Sequence, residues 1–233
     1  MASSILIDAA TEWLDRHTSL PAVSQGNDYT VMCHFKCTSL PSGSMWRPLG
    51  ALSDASDGDE MALVYDGASS YYIRQWQYSS NSGLQWKFVN EAVGSWHHVA
   101  FVYRWVSGSI WMDGFLDGGT PTQYSQSVTR SWTPANLELG GWLQGADHWG
   151  SAAVEIACWK VFPSALSQSE IQTEMDYLLP QKSGCIACIT SNDGYDYSST
   201  GDFNVHGSPT AGTASGLTGV TWPSAGSTIT PAV

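Results

Sequence analysis

Two short stretches of this chain combine the side chains that recognise a polyhydroxylated ligand. In Trp142-Leu143-Gln144-Gly145-Ala146-Asp147-His148-Trp149, two indoles flank an amide, a carboxylate and an imidazole. Tyr72-Ile73-Arg74-Gln75-Trp76-Gln77-Tyr78 has a similar composition. A pyranose presents C–H faces that stack on an aromatic ring, and hydroxyls that exchange hydrogen bonds with Asp, Asn or Gln. Trp142, Gln144, Asp147, His148 and Trp149, together with Tyr72 and Trp76, are therefore candidate glycan contacts. The other role open to each aromatic is to plug a core, and exposure distinguishes the two.

A second chemistry is calcium binding. Asp54, Asp57, Asp59 and Glu60 crowd hard oxygen ligands into Asp54-Ala55-Ser56-Asp57-Gly58-Asp59-Glu60, which reads as a loop over 53–59. The spacing is not that of an EF-hand, and a solvated acidic loop is the competing reading. Asp147 could add a ligand from a neighbouring loop, and Asp193 and Asp196 form another candidate turn. His97 and His98 sit at a strand start, where one packs inward and one faces solvent. A serine nucleophile would need a G-x-S-x-G elbow, which the chain lacks.

The chemistry is bounded by charge. The net charge is −12, and only nine residues are Lys or Arg. Phosphate backbones and anionic membranes need clustered cations, so nucleic acid and membrane are excluded as partners. Neutral sugars, cations and basic protein surfaces remain. No stretch reaches transmembrane length, and the N-terminus lacks the pattern of a signal peptide. The five cysteines are an odd number and cannot all pair within the chain. Cys33 and Cys37 would lie on one strand face about 13 Å apart, too far for a disulfide. Cys33, Cys37 and Cys158 read as small buried hydrophobes and the thiols as free, which fits folding in a reducing cytoplasm.

The elements that must hold these residues are mostly strands. Val99, Phe101, Tyr103 and Trp105 alternate with Ala100, Val102 and Arg104. Ser107-Gly108 closes a hairpin, and Asp113-Gly114 reads as a second tight turn. Tyr29–Cys37 alternates cleanly; Trp46–Leu52, Met61–Tyr65, Tyr71–Gln77 and Leu84–Val89 continue a meander, and Asn136–Gly141 and 152–162 read as further strands. The segments 121–133 and 144–151 read as loops. Ser167-Gln168-Ser169-Glu170 is a capping box for a short helix carrying Ile171, Met175 and Leu178 and stopped by Pro180. Residues 11–16 read as an opening strand or a short helix, and 185–190 and 202–206 as closing strands.

Two of these patterns carry a resemblance. Trp96-His97-His98-Val99-Ala100, the strand after it and Ile110-Trp111-Met112-Asp113-Gly114 resemble the laminin-G-like, concanavalin-A-like lectin family. So do Glu155-Ile156, Val161-Phe162, Ala165-Leu166-Ser167 and Glu170-Ile171. The resemblance implies an all-β, antiparallel two-sheet jelly-roll sandwich, concave on one side, with one short helix. Glycosidases of that family carry an E-x-D-x-(x)-E string on one strand, and no such string exists here. Binding rather than catalysis is therefore the expected function.

The expected organisation is a sandwich over residues 1–206 and an extended tail over 207–233, rich in Gly, Ser, Thr and Pro. Trp222 would be the tail's main anchor on a partner. A lectin-like domain with free thiols and no export signal fits a phage-type virion surface protein, a capsid decoration or tail subunit. Such a protein would contact glycans or neighbouring subunits within a larger assembly. A purely structural virion subunit is the second reading and a glycoside-active enzyme the third.

Overall fold

A computed structural model describes residues 4–9, 11–17, 19–24, 26–39, 46–53, 58–65, 71–77, 82–88, 94–127, 133–144, 147–150, 153–190, 203–214 and 216–221. Two antiparallel sheets pack face to face. The eight-stranded sheet runs β10 (Thr122–Ser127), β9 (Ser109–Leu116), β8 (Trp96–Val106), β3 (Tyr29–Cys37), β14 (Val154–Phe162), β1 (Ser4–Ile7) and β17 (Thr210–Gly212), with β15 (Ala187–Ile189) also on β14. The seven-stranded sheet runs β16 (Asn204–His206), β2 (Trp13–His17), β11 (Asn136–Leu139), β4 (Trp46–Ser53), β5 (Gly58–Tyr65), β6 (Tyr71–Gln77) and β7 (Ser82–Phe88). A separate hairpin joins β12 (Gly141–Gln144) to β13 (Asp147–Gly150). This is the jelly-roll type of sandwich that the sequence resemblance implies.

The period of two explains the core. Val31, Cys33 and Phe35 of β3, Val99, Phe101 and Tyr103 of β8, and Trp159 and Val161 of β14 face inward from one sheet. Leu14, Leu52, Leu137 and Leu139 meet them from the other. A Cβ on Gly50 would lie 3.1 Å from the Trp159 indole, so the glycine makes room for the largest core side chain. Cys33, Cys37, Cys158 and Cys188 are buried, and all five cysteines are free thiols.

Several boundaries differ from the sequence reading. Asp113-Gly114 lies inside β9 and is not a turn. Asp113 is held by Arg104 and Gln123, and Gly114 passes under the Phe101 ring, 3.3 Å from where a Cβ would stand. The turn comes at Asp117-Gly118, where both residues have positive φ. Ser107-Gly108 is a tight turn as expected, again with both φ positive. Residues 122–127, read as part of a loop, form the edge strand β10. Residues 144–151, also read as a loop, contribute Gln144 and Asp147–Gly150 to the β12–β13 hairpin.

The expected boundary between 206 and 207 falls between two paired strands. β16 pairs with β2 and β17 with β1. Beyond β17, Ala214 is buried, and Leu217 and Val220 pack against Ala157, Cys158, Leu178 and Cys188. The described part of the tail therefore completes the sandwich, because paired backbone and a few apolar anchors offset the ordering cost that composition alone suggested would not be met. Trp222 lies outside the described residues.

Helix α1 (Gln168–Met175) starts at the expected capping box: Ser167 Oγ accepts from the Glu170 amide, and the Glu170 carboxylate reaches back to the Ser167 amide. It is fastened to the outer face of the eight-stranded sheet by Lys160 of β14. The fully buried ammonium donates to Glu174 Oε2 at 2.7 Å, to the Glu174 carbonyl at 2.9 Å and to the Tyr177 carbonyl at 2.7 Å.

Candidate functional site on the outer face of the seven-stranded sheet

In β2, Leu14 points into the core, so Trp13, Asp15 and His17 take the outer face. In β11, Leu137 and Leu139 point inward, leaving Asn136 and Glu138 outward. Register joins these positions into a row: Asn204, Asp15, Glu138, Ala51 and Glu60 are successive cross-strand partners, ending at Trp76. Tyr72 shares that face of β6 with Trp76.

The described side chains form one hydrogen-bonded network. Asp15 Oδ1 accepts from Asn204 Nδ2 at 3.0 Å, and Oδ2 accepts from Trp13 Nε1 at 3.2 Å. His206 Nε2 lies 2.7 Å from Asp15 Oδ2, and His17 Nε2 lies 3.6 Å from Oδ1. The Trp13 and His206 rings stack with centroids 4.5 Å apart. On the other side, His17 Nδ1 pairs with Asn136 Oδ1. Asn136 Nδ2 donates to Ser53 Oγ at 3.3 Å, and Ser53 Oγ donates to Glu138 Oε1 at 3.2 Å.

Asp15 has 8 % of its side chain exposed, whereas His17 has 57 % and His206 38 %. The carboxylate is a buried anchor, and the imidazoles, Asn204 and the half-buried Trp13 form its accessible rim. Asp15 and Glu138 stand directly opposite across two strands, so a carboxylate pair exists that no single-strand motif reveals. Each Asp15 oxygen accepts a hydrogen bond, Oδ1 from Asn204 and Oδ2 from Trp13.

The candidates named from sequence are distributed as follows. Trp142 pairs with Trp149 and Gln144 with Asp147 across the β12–β13 hairpin, so these four positions share one face while Leu143 and His148 share the other. The hairpin lies against β4 and β5, which brings both aromatic stretches to the same sheet. Of the proposed calcium ligands, Asp54 and Asp57 fall outside the described residues, as do Asp193 and Asp196. Asp59 and Glu60 are not loop residues: they are adjacent in β5, paired with Gln77 and Trp76, and adjacent strand positions face opposite sides of a sheet. Among the described residues, no group of three His, Cys, Asp or Glu is arranged to hold a metal ion.

Sequence reasoning missed Trp13, Asp15, His17, Asn136, Glu138 and His206. They come from three strands far apart in the chain, β2, β11 and β16, and Asp15 and Asn204 are 189 residues apart. One local signal was available: Glu138 is an acid flanked on both sides by core leucines, Leu137 and Leu139.

A cavity of about 210 Å³ lies on the other sheet, bounded by Trp96, His34, His98, Asp117, Asp176 and the strand-free stretch 216–220. The His34 and His98 rings are 4.6 Å apart. His97 pairs with Asp117 at 3.0 Å, whose other oxygen accepts the His98 amide at 2.7 Å. His98 Nδ1 has no hydrogen-bond partner. Burial, then His34 and Lys160, push the His98 pKa well below its usual value. The folded protein thus binds fewer protons than the unfolded chain once pH drops below about 6.5, and stability falls with it. Urea midpoints measured from pH 7.5 to 5 are expected to fall more steeply in the wild type than in His98→Phe. Parallel curves would show that His98 stays solvated.

A family model described as the concanavalin A-like lectin/glucanases superfamily matches residues 13–172. The chain belongs to this superfamily. The match opens on Trp13 and takes in Asp15, Asn136 and Glu138, while Asn204 and His206 lie beyond it. Among solved structures, the native heptameric SAP-like pentraxin of Limulus polyphemus aligns with TM-score 0.64 and 14 % identity over 91 % of this chain and 94 % of that one. A putative carbohydrate binding protein of Bacteroides ovatus aligns with TM-score 0.61 and 11 % identity, over 91 % of this chain and 60 % of that one. At these identities the likeness is one of fold. No curated protein matches the chain in sequence.

Proposed function

We propose that this lectin-like domain is a non-catalytic carbohydrate-binding module whose ligand lies across the outer face of the seven-stranded sheet. The observation that carries the reading is the Asp15 carboxylate, which accepts from Asn204 and Trp13, lies 2.7 Å from His206 Nε2, and is rimmed by the exposed His17 and the stacked Trp13 and His206 rings. The positions of Glu60, Trp76 and Tyr72 extend that face, and the Trp142, Gln144, Asp147 and Trp149 face of the hairpin lies beside it. The carbohydrate-binding description of the Bacteroides ovatus relative supports the ligand class. Screening the protein on a glycan array and then titrating the best glycan tests it. Trp13→Ala and Asp15→Asn should each weaken binding roughly 10–100-fold, as expected for losing charge-assisted hydrogen bonds and a stacking ring. Unchanged affinity in both variants would move the site to the hairpin. Turnover of the bound glycan that disappears in Glu138→Gln would make the protein an enzyme.

A finer reading places the module on a phage-type virion, as a decoration or tail subunit within a larger assembly. Five free thiols in a lectin-like fold support it, because oxidising compartments favour paired cysteines. Immunogold labelling of particles tests it, and a chain found only off particles overturns it.

A further inference from the structure

We propose that the outer face of the eight-stranded sheet carries a second, independent saccharide platform centred on Trp111, which makes the domain bivalent. The inference rests on the glycan-binding reading above but uses none of its residues. Only three large hydrophobic side chains among the described residues are exposed, and two of them, Trp111 at 38 % and Val106 at 50 %, share one patch. Val106 pairs with Ser109, and Trp111 is two residues further along β9 on the same face. Core residues Ile110 and Met112 lock the strand on both sides of Trp111, so the indole stands on a rigid support.

The surroundings of the ring are polar and fixed. Arg104 is the cross-strand partner of Trp111 and forms an ion pair with Asp113. Gln123 of β10 donates to Asp113 Oδ1 at 2.8 Å. The Asp113 carboxylate, only 10 % exposed and two residues along β9, about 6.6 Å from Trp111, anchors the 40 % exposed Arg104 guanidinium and the Gln123 amide beside the indole. The guanidinium and amide suit sugar hydroxyls, while the ring suits the sugar's C–H face. Charge selects among saccharides: Arg104 and Asp113 cancel, so the patch is neutral on a protein of net charge −12. An uncharged saccharide needs no counter-charge there, and among the described residues of the patch the one carboxylate, Asp113, is already paired with Arg104. β10 is the edge of the sheet, so a long polymer can run past the patch without meeting another strand.

Native gels containing barley β-glucan, xylan, galactomannan or dextran test the proposal on the full chain. On a polymer that retards the wild type, Trp111→Ala should weaken retardation roughly 10–100-fold in apparent affinity, and Trp111→Phe should restore most of it. Combining Trp111→Ala with Trp13→Ala should abolish retardation, and either single variant should lose the ability to precipitate the polymer. If Trp111→Ala binds normally and Trp13→Ala does not, the second platform is overturned and the first site stands. If Trp111→Ala alone loses binding, the platform stands and the first site fails. A wild type retarded by none of the polymers overturns the platform. So does a wild type that sediments as an oligomer and becomes monomeric in Trp111→Ala, since the patch would then be an interface between copies.

Discussion

Truncation after Gly207 is expected to leave most of the chain unfolded at room temperature in buffer. The removed segment contributes three register pairs to β1: Ser4 with Gly212, Ile5 with Ala211, and Leu6 with Thr210. The Ala214 amide donates to Glu155 Oε1 at 2.9 Å and to Ser4 Oγ at 3.1 Å. Burial pushes the Glu155 pKa up, but Lys36, Ser4 and the Ala214 amide together hold it below its usual value, so the tail helps keep a buried carboxylate charged. Further on, Thr221 exchanges backbone hydrogen bonds with Asp176 and Leu178, at 2.8 and 3.2 Å. Leu217 and Val220 cover Leu178 and Cys158. Losing these two partly buried side chains costs up to about 3–6 kcal/mol, at about 1.5–3 kcal/mol per large apolar side chain. A domain has only about 5–15 kcal/mol in total. Urea unfolding followed by tryptophan fluorescence measures this directly. A truncated chain with the wild-type midpoint would show that these contacts are peripheral.

Glu174→Ala is expected to lower stability by about 3–5 kcal/mol, because it removes the buried Lys160 ammonium's carboxylate partner and leaves it hydrogen-bonded to two backbone carbonyls. The same substitution strips an acceptor from the Gln181 and Lys182 amides, which donate to Glu174 Oε1 at 2.8 and 2.5 Å. For a chain of this length that is a fall in Tm of roughly 6–20 °C. Replacing both partners, Lys160→Met with Glu174→Leu, should recover much of the loss, since no charge then remains to be desolvated. Circular dichroism melts of the three variants separate the terms. A double variant no better than Glu174→Ala would mean that the pair's geometry, and not its desolvation, sets the cost. Helix α1 should detach first in Glu174→Ala, which proteolysis near Gln181 would report.

Much of the fold was legible because it is written locally. The alternation in Tyr29–Cys37 and Tyr71–Gln77 marks β3 and β6 with the bounds the structure has. The capping box at Ser167 and Glu170 starts α1, since both halves of that device lie within one turn. Local signals misled where a distant partner decided. Asp113-Gly114 has the composition of a tight turn, yet Arg104 and Gln123 hold the aspartate in a strand and the Phe101 ring needs the glycine's empty space. The sparse tail looked too poor in apolar groups to fold, yet its described part pairs with β1 and packs on β14 and Leu178.

The sequence by itself determined the inward face of Tyr29–Cys37 and of the strand after Trp96, the helix start and a negative field hostile to polyanions, and its resemblance to the laminin-G-like family implied the sandwich. The first three follow from period, capping and charge, which act between near neighbours or on the chain as a whole. Only the tertiary structure decided the candidate site. Asn204, Asp15, Glu138 and Glu60 are brought into one row by the strand order β16-β2-β11-β4-β5, and each strand contributes a single residue to it. A site assembled across strands has no spacing along the chain, because sheet order and register, not sequence separation, set the distance between its members.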